Sequence, residues 1–223
     1  MRTLSKITLG LATASLLVVG LAACSAPAAT TAPASAPAAD AAPKPLASIP
    51  VLAGVDTQVA LDKGFVAALT SLGLTPGVTG TATLVDGALH FPITGGKVDY
   101  YDPAASYRPF VQGEIDHMGS GITLTAGNTV VGLSDFKIDP GTSRLTGTVT
   151  ANGALVAKDV FIFNLDGSTL KPLATDAKGN AVLQGTRVLI SSDAAALLNK
   201  TFKTTAVTDT LLVGIATITA HAK

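Results

Sequence analysis

Ile122-Thr123-Leu124-Thr125-Ala126-Gly127-Asn128-Thr129-Val130-Val131-Gly132-Leu133-Ser134-Asp135-Phe136-Lys137-Ile138 is two runs of strand-forming residues on either side of Gly127-Asn128. In the first run Ile and Leu alternate with Thr, as a half-buried strand requires, and Gly-Asn tolerates the positive φ of a tight hairpin turn. The same texture recurs in both directions. Runs at 79–85, 88–93, 144–151, 155–164, 181–189 and 211–220 are alternating or β-branched and are bounded by Gly, Asp, Asn or Pro. Asp86-Gly87, Asn152-Gly153, Asp166-Gly167 and Gly179-Asn180 are further hairpin candidates between neighbours. Such spacing predicts a mainly β domain, an antiparallel β-sandwich or flattened barrel of roughly nine to twelve strands.

Two segments break the two-residue period. After Val59-Ala60-Leu61, Asp62 precedes Phe65, Ala68, Leu69 and Leu72 at helical spacing. After Val188-Leu189-Ile190, the cap candidates Ser191, Ser192 and Asp193 precede Ala194, Leu197, Leu198 and Phe202. Each predicts a short α-helix, with Phe65, Leu69, Leu72, Leu198 and Phe202 facing the core. A shift of 129 residues lays Val59 on Val188, Leu61 on Ile190 and Leu69 on Leu198. An internal duplication and the convergence of two short amphipathic helices are both open on that match.

The chain is 48% hydrophobic but only 4% aromatic, which predicts an aliphatic core. Its front is different. Arg2 and Lys6 precede an apolar run over 7–22 that is short for a membrane span and reads as the h-region of a signal peptide. The run ends in Leu21-Ala22-Ala23-Cys24, which resembles the bacterial lipobox. That resemblance implies a lipoprotein signal peptide over 1–23, acylation of Cys24, and a membrane-anchored, extracytoplasmic protein of the cell membrane or outer membrane. Residues 24–50 collapse to Ala, Pro, Thr and Ser, and prolines at 27, 33, 37, 43, 45 and 50 disfavour helix and sheet, so a disordered tether is expected before one domain over 51–223.

Several functions are excluded on composition. Without residues 1–23 the chain keeps 13 basic against 15 acidic side chains, scattered singly, so it lacks the clustered basic face that nucleic acid requires. Cys24 is the single cysteine, which excludes a disulfide framework and a thiolate metal site within one chain. His90, His117 and His221 lack ligand spacing, and no acidic loop suits calcium.

The stretch with most chemistry is Gly113-Glu114-Ile115-Asp116-His117-Met118-Gly119-Ser120-Gly121, which contains the chain's single glutamate. Tyr100, Tyr101, Tyr107 and Arg108 lie just before it, in what reads as a long loop between strands. An aromatic cluster beside an arginine is the composition of a docking surface, and the opposing expectation is a loop that packs its rings onto its own domain. Ser120, His117 and Asp116 supply the residue types of a catalytic triad. Neighbours 116 and 117 on a strand point to opposite faces, however, so Asp116 cannot orient His117, and no nucleophile-elbow pattern surrounds Ser120. A non-enzymatic binding or adhesion domain is expected, with Tyr100, Tyr101, Tyr107, Arg108 and His117 as candidate ligand-binding residues and no cofactor.

Residues 91–96, 113–124 and 131–139, together with 193–199 and 214–217, resemble a group of uncharacterised secreted bacterial lipoproteins. More remotely they are similar to the HtaA-type domain of haem uptake, in which a glycine-flanked histidine precedes a Leu-rich strand. The resemblance implies a β-sandwich with two short helices, and it implies haem as an alternative ligand. In that family a tyrosine on the first helix, in a Ser-Phe-Arg-x-Tyr-like segment, binds the haem iron with a histidine in support. The matching segment here is Gly64-Phe65-Val66-Ala67-Ala68. His117 fits the pattern, but Ala68 stands where the tyrosine would be, which leaves Tyr100, Tyr101 or Tyr107 as the replacement oxygen ligand that a haem function would require.

Overall fold

The computed structural model describes residues 42–221. The expected signal peptide, Cys24 and most of the expected tether lie outside the described residues. In chain order the elements are β1 (Ala47–Ile49), β2 (Val55–Leu61), α1 (Lys63–Ser71), β3 (Thr75–Gly80), β4 (Thr83–Val85), β5 (Ala88–Pro92), β6 (Gly95–Tyr100), β7 (Val111–Ala126), β8 (Thr129–Asp139), β9 (Arg144–Ala151), β10 (Ala154–Asp166), β11 (Ala174–Thr175), β12 (Ala181–Ile190), α2 (Ser192–Phe202) and β13 (Leu212–Ala220).

All strand pairs are antiparallel, in the order β1-β6-β7-β8-β9-β10-β12-β13-β2-β5-β4, with β11 beside β12 and β3 beside β7. The sheet curls on itself through one bent segment. β5 pairs with β2, whereas β6, which follows two residues later, pairs with β7. Between them the Ile93 N–H donates to the Val55 carbonyl and the Thr94 N–H to the Asp116 carbonyl. One sheet therefore supplies both walls of the core, so of the two predicted descriptions the flattened, half-open barrel fits better.

β7 is the longest strand and serves three neighbours. β6 lies along residues 111–116, β3 along 120–125, and β8 along most of its other side. His117 faces Phe136 and Gly121 faces Ser134, so three residues of β7 oppose one of β8. This bulge switches the inward parity from Val111, Ile115 and His117 to Ser120, Ile122 and Leu124. It is pinned from both sides, by Asp135 Oδ1 accepting from the Gly119 N–H at 2.9 Å and Thr94 Oγ1 accepting from the Met118 N–H at 2.9 Å.

The helices form where the spacing places them. Asp62 caps α1 by accepting from the Gly64 and Phe65 N–H groups, and Ser191 caps α2 by accepting from the Ala194 N–H at 3.0 Å. Phe65, Leu69 and Leu198 are buried, while Leu72 and Phe202 pack partly buried against the same core. The two strand-helix-strand segments are not topological copies. β12 and β13 pair with each other around α2, whereas β2 and β3 do not pair, since β3 joins β7. The offset match thus has no counterpart in connectivity.

Four expectations are corrected. β1 pairs with β6 from Ala47 to Ile49, so ordered structure begins inside the segment assigned to the tether. The run at 79–85 is split between the end of β3 and β4. Asp166-Gly167 does not make a hairpin turn. Asp166 instead accepts from the Ser168 N–H at 2.8 Å and opens a 3-10 turn at Gly167–Thr169. Finally, the long loop shrinks to 101–110, because residues 95–100 and 111–126 are strand. Glycines hid them. A Cβ on Gly96 would overlap the Glu114 carbonyl, and one on Gly113 the Lys97 carbonyl, so the close β6–β7 pairing demands residues of low strand propensity.

Candidate functional site: a cavity inside the sheet

The curl encloses a cavity of about 490 Å³. Ile115, Ile122, Leu89, Val59, Phe91 and Phe136 are among its wall residues, contributed by β7, β5, β2 and β8. The deepest polar residue is His117, which is 1% exposed. Its Nε2 and Thr57 Oγ1 share a hydrogen bond of 2.8 Å across the curl. Its Nδ1 is buried without a hydrogen-bond partner. Burial lowers the imidazole pKa to about 4, so the ring is neutral at ordinary pH. The Phe91 ring stands edge-on to it, 6.3 Å between centroids, and also edge-on to Phe136 at 5.4 Å.

The rim is made by the 101–110 loop. Tyr100 and Arg108 line the cavity together with Pro109 and Phe110. Arg108 is exposed, and its guanidinium lies 5.7 Å from the Phe110 ring centroid. One of its terminal nitrogens donates to the Ala105 and Tyr107 carbonyls and the other to the Pro103 carbonyl. Tyr100 and Tyr101 are buried, at 7% and 8% exposure. Tyr101 stacks edgewise on Tyr107, 4.7 Å between centroids, and Tyr100 on Phe110 at 5.9 Å. The tyrosines thus pack into the loop and sheet. They do not form an outward-facing patch.

The structure therefore gathers Tyr100, Arg108 and His117 around one cavity and leaves Tyr101 and Tyr107 beside its rim. Sequence reasoning missed Thr57, 60 residues from its histidine partner, and the apolar wall residues. Their signal was the alternation of Leu89 with Phe91 and of Ile122 with Leu124, which marked a core without marking a void inside it.

The triad residues are not coupled. Ser120 Oγ donates to the His117 backbone carbonyl at 3.0 Å, not to the imidazole. Among the described residues no group of three His, Cys, Asp or Glu is placed to hold a metal ion, and no helix is long and apolar enough to cross a membrane.

No protein-family model matches this chain, and no curated protein does either. Solved structures do match. The crystal structure of the C-terminal domain of HtaA from Corynebacterium glutamicum is 14% identical, with 76% of this chain covering 97% of that one at a TM-score of 0.51. The fold is similar to that of an HtaA domain. The heme binding protein HtaB from the same organism is 7% identical, over 79% of this chain and 96% of its own, at a TM-score of 0.46. The position that carries tyrosine in the HtaA-type pattern is Ala68 on α1, and α1 contributes nothing to the cavity wall. Ala68 cannot supply the tyrosine ligand of the HtaA-type pattern, and Tyr100 is the tyrosine that lines the cavity.

Proposed function

We propose that the protein is a non-enzymatic binding protein of the cell envelope, held there by a lipid on Cys24, whose domain encloses an apolar small molecule within its curled sheet. One observation carries this reading: a cavity of about 490 Å³ with an aliphatic and aromatic wall, a few hydroxyls and one neutral imidazole. Small-molecule sites have this composition and a volume of roughly 300–1,000 Å³. A sheet packed for stability alone would close around such a space, because atoms that face a void lack the dispersion partners that hold a core together.

The test is titration of delipidated domain with the uncharged probe 1-N-phenylnaphthylamine. Fluorescence enhancement saturating at one equivalent is expected, with loss of that enhancement in Ile115→Trp, whose indole fills the wall. Absence of enhancement in the wild type refutes the reading. The anchor has its own test: Cys24→Ala releases the protein from membranes, and a variant that fractionates with the membrane as the wild type does contradicts it.

Haem is a second reading, favoured by His117, whose neutral imidazole on the cavity wall is in the state that ligates iron. It predicts a Soret shift at one equivalent of haemin that disappears in His117→Ala. A spectrum equal to free haemin removes it.

A further inference from the structure

We infer that the ligand is a single-chain anionic amphiphile, with its hydrocarbon tail inside the sheet and its acid group at Arg108; this rests on the cavity reading above. Among the described residues that line the cavity, Arg108 alone carries a formal charge, and no aspartate, glutamate or lysine is present. An ion in the interior would lack a counter-charge, since His117 is neutral and the rest of the wall is apolar or hydroxylic. The charged end of any occupant is therefore confined to the rim.

The rim is built for an anion. The Pro103, Ala105 and Tyr107 carbonyls take three of the five guanidinium N–H groups, which fixes the side chain in place and leaves two donors. Holding the donor in advance reduces the ordering that binding would otherwise require. The nearby carboxylates are engaged elsewhere: Asp99 accepts from Ser48 Oγ and Asp102 from the Ala104 N–H, and neither lines the cavity. Volume sets the number of tails. About 490 Å³ lies in the lower half of the usual range for small-molecule sites, which suits one chain and not a diacyl lipid.

Three amphiphiles of equal tail test this, each displacing 1-N-phenylnaphthylamine below its micelle concentration: dodecanoate, dodecanol and dodecylammonium. Dodecanoate is expected to displace the probe at concentrations roughly tenfold below dodecanol, the strength of one charge-assisted hydrogen bond, and dodecylammonium to be weakest. Arg108→Gln should erase the dodecanoate advantage over dodecanol, a ratio that a loop change acting equally on both amphiphiles would not move. Arg108→Lys should retain part of the advantage. If the probe binds but dodecanoate and dodecanol compete equally, or Arg108→Gln weakens both alike, the anionic assignment is overturned while the cavity reading stands. If the probe does not bind the wild type, the cavity reading itself fails.

Discussion

The loop at 101–110 and the stretch of β7 around His117 border one cavity, and they satisfy their polar groups in opposite ways. Arg108 sits in solvent with three N–H groups on its own loop's carbonyls. His117 is sealed in the wall, holds one partner from a distant strand and leaves Nδ1 without any. A charge kept at the rim can be solvated when no ligand is present, whereas a charge at the wall cannot, so the histidine stays neutral. The cavity is thereby graded from a charged mouth to an uncharged floor. On the proposed reading, such a gradient is what would orient an amphiphile in the cavity.

The largest contrast between the two regions should be in stability. Ile115→Ala on the wall removes a buried side chain of β7 and is expected to cost about 2–5 kcal/mol in urea unfolding. Tyr107→Ala on the rim, half-buried against one ring, should cost less than about 1 kcal/mol. Equal losses would mean that the loop belongs to the core.

Next in size is the pH response of His117. Its folded pKa of about 4 lies below the usual value of 6.5, so the unfolded chain binds the extra proton first. The contribution is complete above about pH 6.5 and is lost as pH falls toward 4, by up to about 3 kcal/mol. His117→Phe should flatten unfolding free energy across that window. Asp166, held below the usual carboxylate value of 3.8 chiefly by the Ser168 N–H, contributes stability that is present above that pH and lost only as pH falls below it, so its loss falls mostly outside the window of His117. A wild-type curve already flat between pH 6.5 and 4 would place His117 in water.

Smallest is the structural cost of Arg108→Gln, whose exposed hydrogen bonds should contribute under about 1 kcal/mol by thermal melting. A melting shift as large as that of Ile115→Ala would make Arg108 part of the framework instead of a ligand contact.

The hairpins were legible because their turns are chemically marked. Asp86 and Asn152 have φ of 50° and 49°, and the glycines that follow them are also left-handed, as the dipeptides require. The helices were legible from Phe65, Leu69 and Leu198 and their caps. The first half of β7 and all of β6 were not, since Gly96 and Gly113 replace the β-branched residues that announce a strand. Of the site, Tyr100, Arg108 and His117 were found as residue types that carry chemistry. Their arrangement was hidden, because the pairing of His117 with Thr57 depends on the bend between β5 and β6, and a void leaves no periodicity.

The central claim, a ligand inside the curl, is tested most directly by methyl NMR of the delipidated domain titrated with dodecanoate. The methyl signals of Ile115, Ile122 and Val213 on the cavity wall should shift and saturate together, while those of the exposed Leu155 and Val156 on the β10 arm stay in place. Shifts confined to Leu155, Val156 or other surface methyls, with the wall signals unmoved, would contradict the account.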